Sequence, residues 1–417
     1  MGVLAFPMAA LDHSQYDVAI IGASIAGCAA ATFFARRGLQ VALVEQTEDP
    51  QAFKKVCTHF IQSSATPTIQ RLGIESGIEK AGGVRNGLEL WTRWGWIRFD
   101  TKAYGYNIRR QKLDPLLRAM ATNTPGVDYF PGREARELLS KEGRVRGIGV
   151  VDRKGRMEEV DARLVVGADG RSSHVAEMSG LPTEASPNNR FIYFAYFRSV
   201  HLTSGRKSQT WFIEPDLDIA YALPVDDGLT LLSVMPLKPK LDRFRGSLEE
   251  TFASYFEALP DGPNMKGGER VSEFRGMLDF PNITRAESRP GLALIGDAAL
   301  ASDPSVAVGC GWAFQSAEWL VDGTADALAA KDEVLVDAAL TQYSKTHRSR
   351  LGPHQAVISS FSTGRPYNSL EAKLYKGATS DPAISRALEL LISRKVTPEQ
   401  ALTPSVMADL QRVNMGE

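Results

Sequence analysis

Apolar residues fall along this chain in two rhythms. Four short runs are apolar at nearly every position and end against glycine or an acid: 16–21 (YDVAII), 39–44 (LQVALV), 163–167 (RLVVG) and 291–295 (GLALI). Runs of that length without alternation predict strands buried on both faces, as in a parallel sheet. Between the first two, residues 28–37 are rich in alanine and phenylalanine and predict a packed helix. In mid-chain, 190–200 (RFIYFAYFRSV) is apolar on both alternating faces, and 209–214, 219–225 and 229–235 predict strands that continue its sheet. From residue 311 onward the spacing turns helical, over 311–328, 336–349, 369–376, 382–394 and 398–413, with mixed apolar and charged faces in the last four. This order predicts an α/β protein with a β-rich insertion and a helical C-terminal region.

Composition changes the picture chiefly through glycine. The chain has 36 glycines among 417 residues, against 22 prolines, and several of them cluster where the buried strands end. Charge is balanced, 48 Lys+Arg against 49 Asp+Glu, which argues against a nucleic-acid partner held by counterion release. An apolar fraction of 43% with so small a net charge argues against disorder. No stretch reaches the 18 apolar residues of a membrane span. Three cysteines, Cys28, Cys57 and Cys310, make no disulfide framework, and no metal-ligand spacing is present. Cys28 and Cys57 read as small packed residues, and a reducing, cytoplasmic setting is expected. Residues 1–11 are apolar but lack a basic lead and contain Pro7, so they read as a short extension rather than a signal peptide.

The first glycine cluster carries chemistry. A strand, Gly22-Ala23-Ser24-Ile25-Ala26-Gly27, a helix, a second strand and Glu45 follow one another at the spacing of a dinucleotide-binding βαβ unit. Gly22 permits the tight turn and Gly27 the close approach of helix to strand. The free N–H groups at Ser24, Ile25 and Ala26 face a pyrophosphate. Glu45, with Gln46 beside it, accepts from a ribose, and its charge disfavours a 2′-phosphate. Ser24 stands where the motif has its middle glycine. Two later strand ends repeat a Gly and Asp pairing: Asp169-Gly170, then Gly296-Asp297 followed by Pro304 and Gly309-Cys310-Gly311.

In this order the three clusters resemble the FAD-dependent monooxygenases of the aromatic-hydroxylase type, relatives of the flavin halogenases and the geranylgeranyl-reductase-like flavoproteins. The resemblance implies a Rossmann-like FAD-binding domain from 15–190 and 281–330, with 53–104 contributing to the substrate side. It implies a β-rich substrate domain over 191–280 and a helical C-terminal region over 331–417. It places Glu45 on the adenosine ribose, Asp297 on the ribityl chain and Asp169 near the pyrophosphate and the nicotinamide approach. Arg110, in Arg110-Gln-Lys-Leu-Asp114, matches the helix start that reaches the cofactor, with neighbouring Arg109 as the alternative. Pro304, Gly309, Cys310 and Gly311 would lie against the flavin, at a helix start whose positive end favours the reduced anion. Lys55-Val-Cys57 is similar to a Lys-x-Cys segment that the reductase-like and halogenase-like relatives place beside the flavin.

The spacing from Pro304 to Gly309 looks like the halogenase branch. Yet the halogenase Trp-x-Trp-x-Ile-Pro signature is replaced at 219–224 by Ile-Ala-Tyr221-Ala-Leu-Pro, and Trp94-Gly-Trp96 comes too early for it. There is one phosphate loop, since Gly147 and Gly149 read as part of a hairpin, so NADPH or NADH is expected as a transient reductant. The family then implies hydroxylation, through a flavin C4a-hydroperoxide formed with O2, of a small aromatic natural-product-like substrate. Alternatives are a flavin-dependent reductase of alkene bonds, a halogenase, and a non-catalytic flavin-binding protein. Tyr193, Tyr196, Trp211 and Tyr221 are the candidates to touch substrate. No residue is assigned a catalytic role, no metal is expected, and a homodimer is a possible assembly.

Overall fold

In a computed structural model, which describes residues 15–415 apart from 100, 206 and 216, the four apolar runs become neighbours in one sheet. The extension expected at 1–11 lies outside the described residues. Tyr16–Ile21 is central, flanked by Val41–Glu45 and Met157–Gly167; Val127–Pro131 and Leu292–Leu294 extend the sheet on either side. These five strands run parallel, which requires helical crossovers and buries both faces. Their aliphatic side chains are accordingly almost wholly buried. Helices Ile25–Arg36 and Gly309–Ala329 pack side by side on the sheet, so both begin at the carboxyl ends of its strands. Gly147 and Gly149 lie in strand Arg144–Asp152, which pairs antiparallel with Met157–Gly167 as the expected hairpin.

A second sheet carries the mid-chain strands, in the order Glu269–Arg270, Ile192–Arg198, Thr230–Met235, Asp218–Pro224, Ser208–Ile213, Leu88–Thr92 and Gly95–Arg98. Both its faces are covered. One packs Trp211, Ala220 and Val234 against helix Leu248–Glu257 and its neighbours. The other packs Phe212, Tyr221 and Leu223 against the C-terminal helices Ser369–Ala378 and Pro382–Ile392.

Two helix boundaries differ from expectation. The helix expected to stop at residue 349 runs from Glu333 to Phe361, through Pro353. Proline removes one backbone bond and clashes with the preceding turn; here tertiary packing on both sides, with Leu351 and Ile358 buried, carries the helix past it. The segment 398–413 splits into Pro398–Ala401 and Pro404–Met415, because Pro404 lacks the N–H that would continue the first turn. Among the described residues no helix is long and apolar enough to cross a membrane.

Candidate active site

The parallel sheet, the starts of the two helices and the loop 52–58 enclose a cleft of about 640 Å³. Its first wall is the glycine turn. Gly22 has φ +105°, and a Cβ there would lie 2.5 Å from the Ala168 carbonyl oxygen. A Cβ on Gly27 would lie 1.8 Å from the Gly22 oxygen. Glycine is therefore required by the protein's own backbone at both positions. Ser24 caps helix Ile25–Arg36 without a side-chain cap bond. Its Oγ instead accepts from Arg110 NH2 at 2.6 Å, leaving first-turn N–H groups open to the cleft. Glu45 closes the end of its strand, with Oε2 accepting from Ala23 N at 2.8 Å and Oε1 from Thr47 N at 3.0 Å.

The second wall is basic. Arg110 is buried and donates through Nε to Asp114 Oδ1 at 2.6 Å. Burial alone would weaken its charge; Asp114 outweighs burial and holds its pKa above the usual guanidinium range. Arg109 points away, into a buried pair with Asp226, and does not line the cleft. Lys54 meets Asp297 at 2.7 Å. Burial pushes the Asp297 carboxyl up, but Lys54, with Arg171 and Arg110, outweighs it and holds the group ionised.

The third wall is the late glycine cluster. Helix Gly309–Ala329 starts at the cleft with no side-chain cap. A Cβ on Gly309 would meet only Asp297 Oδ1 at 3.6 Å, and one on Gly311 only Ala65 at 3.6 Å. Unlike Gly22 and Gly27, these glycines answer to no crowding within the protein. Cys310 faces Cys57 across the cleft, Sγ to Sγ 3.6 Å, and Cys57 Sγ also accepts from His59 N at 3.2 Å.

Of the residues expected to hold a cofactor, Gly22, Ser24, Ile25, Ala26, Glu45, Gln46, Arg110, Asp169, Gly170, Asp297, Pro304, Gly309 and Cys310 line this cleft. Gly27, Gly296 and Gly311 do not line it. Lys55 does not line it: its ammonium sits 3.6 Å over the Phe53 ring, and Lys54 takes the inward place. Asp169 reaches the cleft, but both its oxygens are engaged locally, by Ser173 Oγ and by Val175 N at 3.0 Å. Arg118, Arg133 and Arg171 also line the cleft and were not singled out from the sequence. Arg171 stands directly after Asp169-Gly170, the one signal that pointed to it.

A second cavity, of about 140 Å³, adjoins the first. Thr58, Phe60 and Ala307 belong to both. It lies between the mid-chain sheet and the C-terminal helices and is lined by Phe212, Tyr221, Phe361, Tyr367 and Tyr375 among others. Of the four tyrosines and tryptophans expected at substrate, only Tyr221 is in its wall. Trp211 lies on the opposite face of the sheet, its indole N–H donating to Pro260 O at 2.8 Å. Tyr193 shares that face, stacked on Phe244. Tyr196 faces the near side, but its hydroxyl is taken by His59 Nε2. The reason is the alternation of the strands, since neighbouring positions look to opposite faces.

Residues 15–350 match the family model described as FAD binding domain. The chain belongs to the FAD binding domain family. It is 24% identical over 297 residues to a digeranylgeranylglycerophospholipid reductase of Picrophilus torridus, covering 70% of this chain and 72% of that protein. It is 24% identical over 376 residues to tryptophan 2-halogenase of Chondromyces crocatus, covering 84% and 68%. Among solved structures the flavin-dependent brominase Bmp2 superposes with a TM-score of 0.79 at 17% identity, over 97% of this chain and 99% of that one. A probable FAD-dependent monooxygenase of Pseudomonas aeruginosa, pqsL, gives 0.67 at 19%, over 89% and 98%. At these identities the solved structures share the fold. The protein is an FAD-dependent oxidoreductase, and its cleft suits the cofactor. Two helix N-termini without side-chain caps, in a cleft also lined by Arg110, Arg118, Arg133 and Arg171, suit a diphosphate's charge. The uncrowded Gly309 leaves room for a flat ring system.

Proposed function

We propose that this flavoprotein is a monooxygenase that hydroxylates a small, single-ring aromatic compound, with NADPH or NADH as electron donor. The observation that carries the reading is the aromatic cavity opening onto the cofactor cleft at Thr58, Phe60 and Ala307. Its volume is close to that of an apolar cavity that accepts benzene, too small for the geranylgeranyl chains in the reductase's name. Among the described residues no lysine lines it, which disfavours a halogenase that needs an amine beside its substrate.

Bound in the cleft, FAD supplies hydride acceptance and oxygen activation. The chain's own residues do the rest. Ser24, Ile25 and Ala26 offer backbone donors to phosphate, with Arg110 behind them. Lys54 and Asp297 offer a donor and an acceptor side by side at the flavin end. The loop from Asp303 to Val308 partitions the two cavities; Asp303 fixes it by accepting from Ser305 N at 2.7 Å and by donating its own N–H to Asn282 Oδ1 at 2.7 Å. The aromatic lining keeps bulk water from the ring to be oxidised.

The test is a panel of single-ring aromatics offered to the FAD-loaded protein with NADH or NADPH under ¹⁸O₂. One labelled oxygen in the product and one nicotinamide consumed per turnover are expected. Product that gains two hydrogens and no label would establish a reductase. Product carrying chloride or bromide would establish a halogenase.

A further inference from the structure

The aromatic cavity holds one cation that the protein does not neutralise. Arg394 lines it, two residues beyond the end of helix Pro382–Ile392. Its guanidinium NH1 meets Leu391 O at 3.2 Å and His354 Nδ1 at 3.3 Å, and its Nε is buried without a partner. No carboxylate among the described residues pairs with it. Glu371, the acid in the same wall, is already held by both terminal nitrogens of Arg365, at 2.6 and 2.7 Å. His354 does not compensate the charge either. Burial, reinforced by Arg394, holds its imidazole neutral, with a pKa lowered to about 3. Burial lowers the Arg394 pKa to about 10, which leaves it charged at neutral pH.

Arg394 is half-buried, and a cation drawn partly out of water without a counter-ion is costly. The Arg394 φ of +61° belongs to the left-handed turn that ends helix Pro382–Ile392, with Arg394 N donating to Leu391 O at 3.1 Å and Lys395 N to Leu390 O at 3.0 Å. Around the cation the wall is apolar and aromatic, with the Tyr221 and Tyr367 hydroxyls buried and unpartnered nearby.

We infer that Arg394 is a specificity-determining residue that receives the carboxylate of an aromatic acid, whose ring fills the cavity between Phe212, Tyr221 and Tyr375. This rests on the aromatic cavity being the substrate site. A guanidinium fork fits a carboxylate in bidentate fashion. A single cation matches a monoanion, whereas a phosphate dianion calls for a second, and among the described residues no other arginine or lysine lines the cavity.

The experiment titrates the full-length, FAD-loaded protein with benzoate, benzyl alcohol and phenyl phosphate, by calorimetry and by perturbation of the flavin absorbance. Benzoate should bind about tenfold or more tightly than benzyl alcohol. Arg394→Gln should remove that preference, lowering benzoate affinity about tenfold while leaving benzyl alcohol within about threefold, and Arg394→Lys should restore part of it. Flavin content and melting temperature of each variant report whether it folds, and the comparison of ligands on the unaltered protein stands without the variants. Equal binding of benzoate and benzyl alcohol, or benzoate affinity kept in Arg394→Gln, overturns the inference and leaves the cavity as a substrate site. Phenyl phosphate binding as tightly as benzoate overturns the choice of carboxylate. If no ring compound binds, the cavity is not the substrate site, and both readings fail.

Discussion

Cys57 and Cys310 show how far a residue's chemistry depends on partners remote in sequence. Read alone, Cys57 is a small packed side chain. In the fold its sulfur shares a hydrogen bond with the Cys310 thiol and accepts another from His59 N, with the Arg110 charge near. The Cys310 bond is the largest influence and outweighs burial, so the Cys57 thiol is held well below the usual cysteine range while that of Cys310 is pushed up. A lowered pKa means that the thiolate is present at pH values where an ordinary thiol is still protonated. In protein stripped of FAD, iodoacetamide should therefore modify Cys57 first, with a midpoint below the ordinary value of about 8.5. Cys310→Ala, which removes the donor, should move that midpoint upward. Peptide mass spectrometry across pH 5–9 checks both, and a midpoint at or above the ordinary value would show that the sulfurs do not share a proton in solution. The adjacent lysines make the same point about legibility. Residues 53–56 form no regular element, so no periodicity tells Lys54 from Lys55. Only the closure of the loop against Asp297 assigns the inward place.

At the scale of elements, the strand, turn and helix of the first unit were legible because local chemistry and the fold ask for the same residues. Gly22 and Gly27 answer to backbone crowding, whereas Gly309 and Gly311 answer to none within the protein. The two kinds separate on mutation. Gly27→Ala should cost about 1–3 kcal/mol of stability, since a Cβ cannot sit 1.8 Å from a carbonyl oxygen without moving helix or strand. Gly309→Ala should leave the melting temperature of FAD-free protein almost unchanged and lower the FAD bound per chain, read from the 450 to 280 nm absorbance ratio. Full flavin content in Gly309→Ala would remove that residue from the site. The mid-chain sheet was legible as strands, but not in the direction its side chains face. Its strands are apolar on both sides, so Trp211 and Tyr221 look equivalent until Leu248–Glu257 is seen to cover one face and the C-terminal helices the other. Neither covering follows from the strands' own pattern, and Arg394, which comes from the covering helices, was invisible for the same reason.

At the scale of the molecule, the long helix Glu333–Phe361 joins the two halves. Its middle docks on the cofactor sheet, where Tyr343 OH donates to Leu294 O at 2.8 Å; its last turns, through Ile358 and Phe361, wall the aromatic cavity. The joint beside Tyr343 is ionic. Glu287, almost wholly buried, accepts from Arg348 NH2 at 2.7 Å and faces His347 Nδ1 at 3.4 Å. Burial by itself would push its carboxyl up, but His347 and Arg348 outweigh burial and hold the pKa at about 2. A carboxyl whose pKa is depressed on folding contributes stability that is fully present above its unfolded value, near 4.3, and is lost as pH falls toward the folded value. Replacing Glu287 with Gln keeps the shape and removes the charge. The variant should melt below the parent protein at pH 7, and the gap should narrow as pH falls through the window from about 4.3 to about 2. Melting curves recorded at intervals across that range decide it. A gap of constant size would mean that the ion pair does not hold this helix to the sheet. Because the same helix walls the cavity, the monooxygenase reading proposed above predicts an effect there too: Glu287→Gln should turn over more reduced nicotinamide per product formed, with the excess released as hydrogen peroxide, although the residue touches neither cavity.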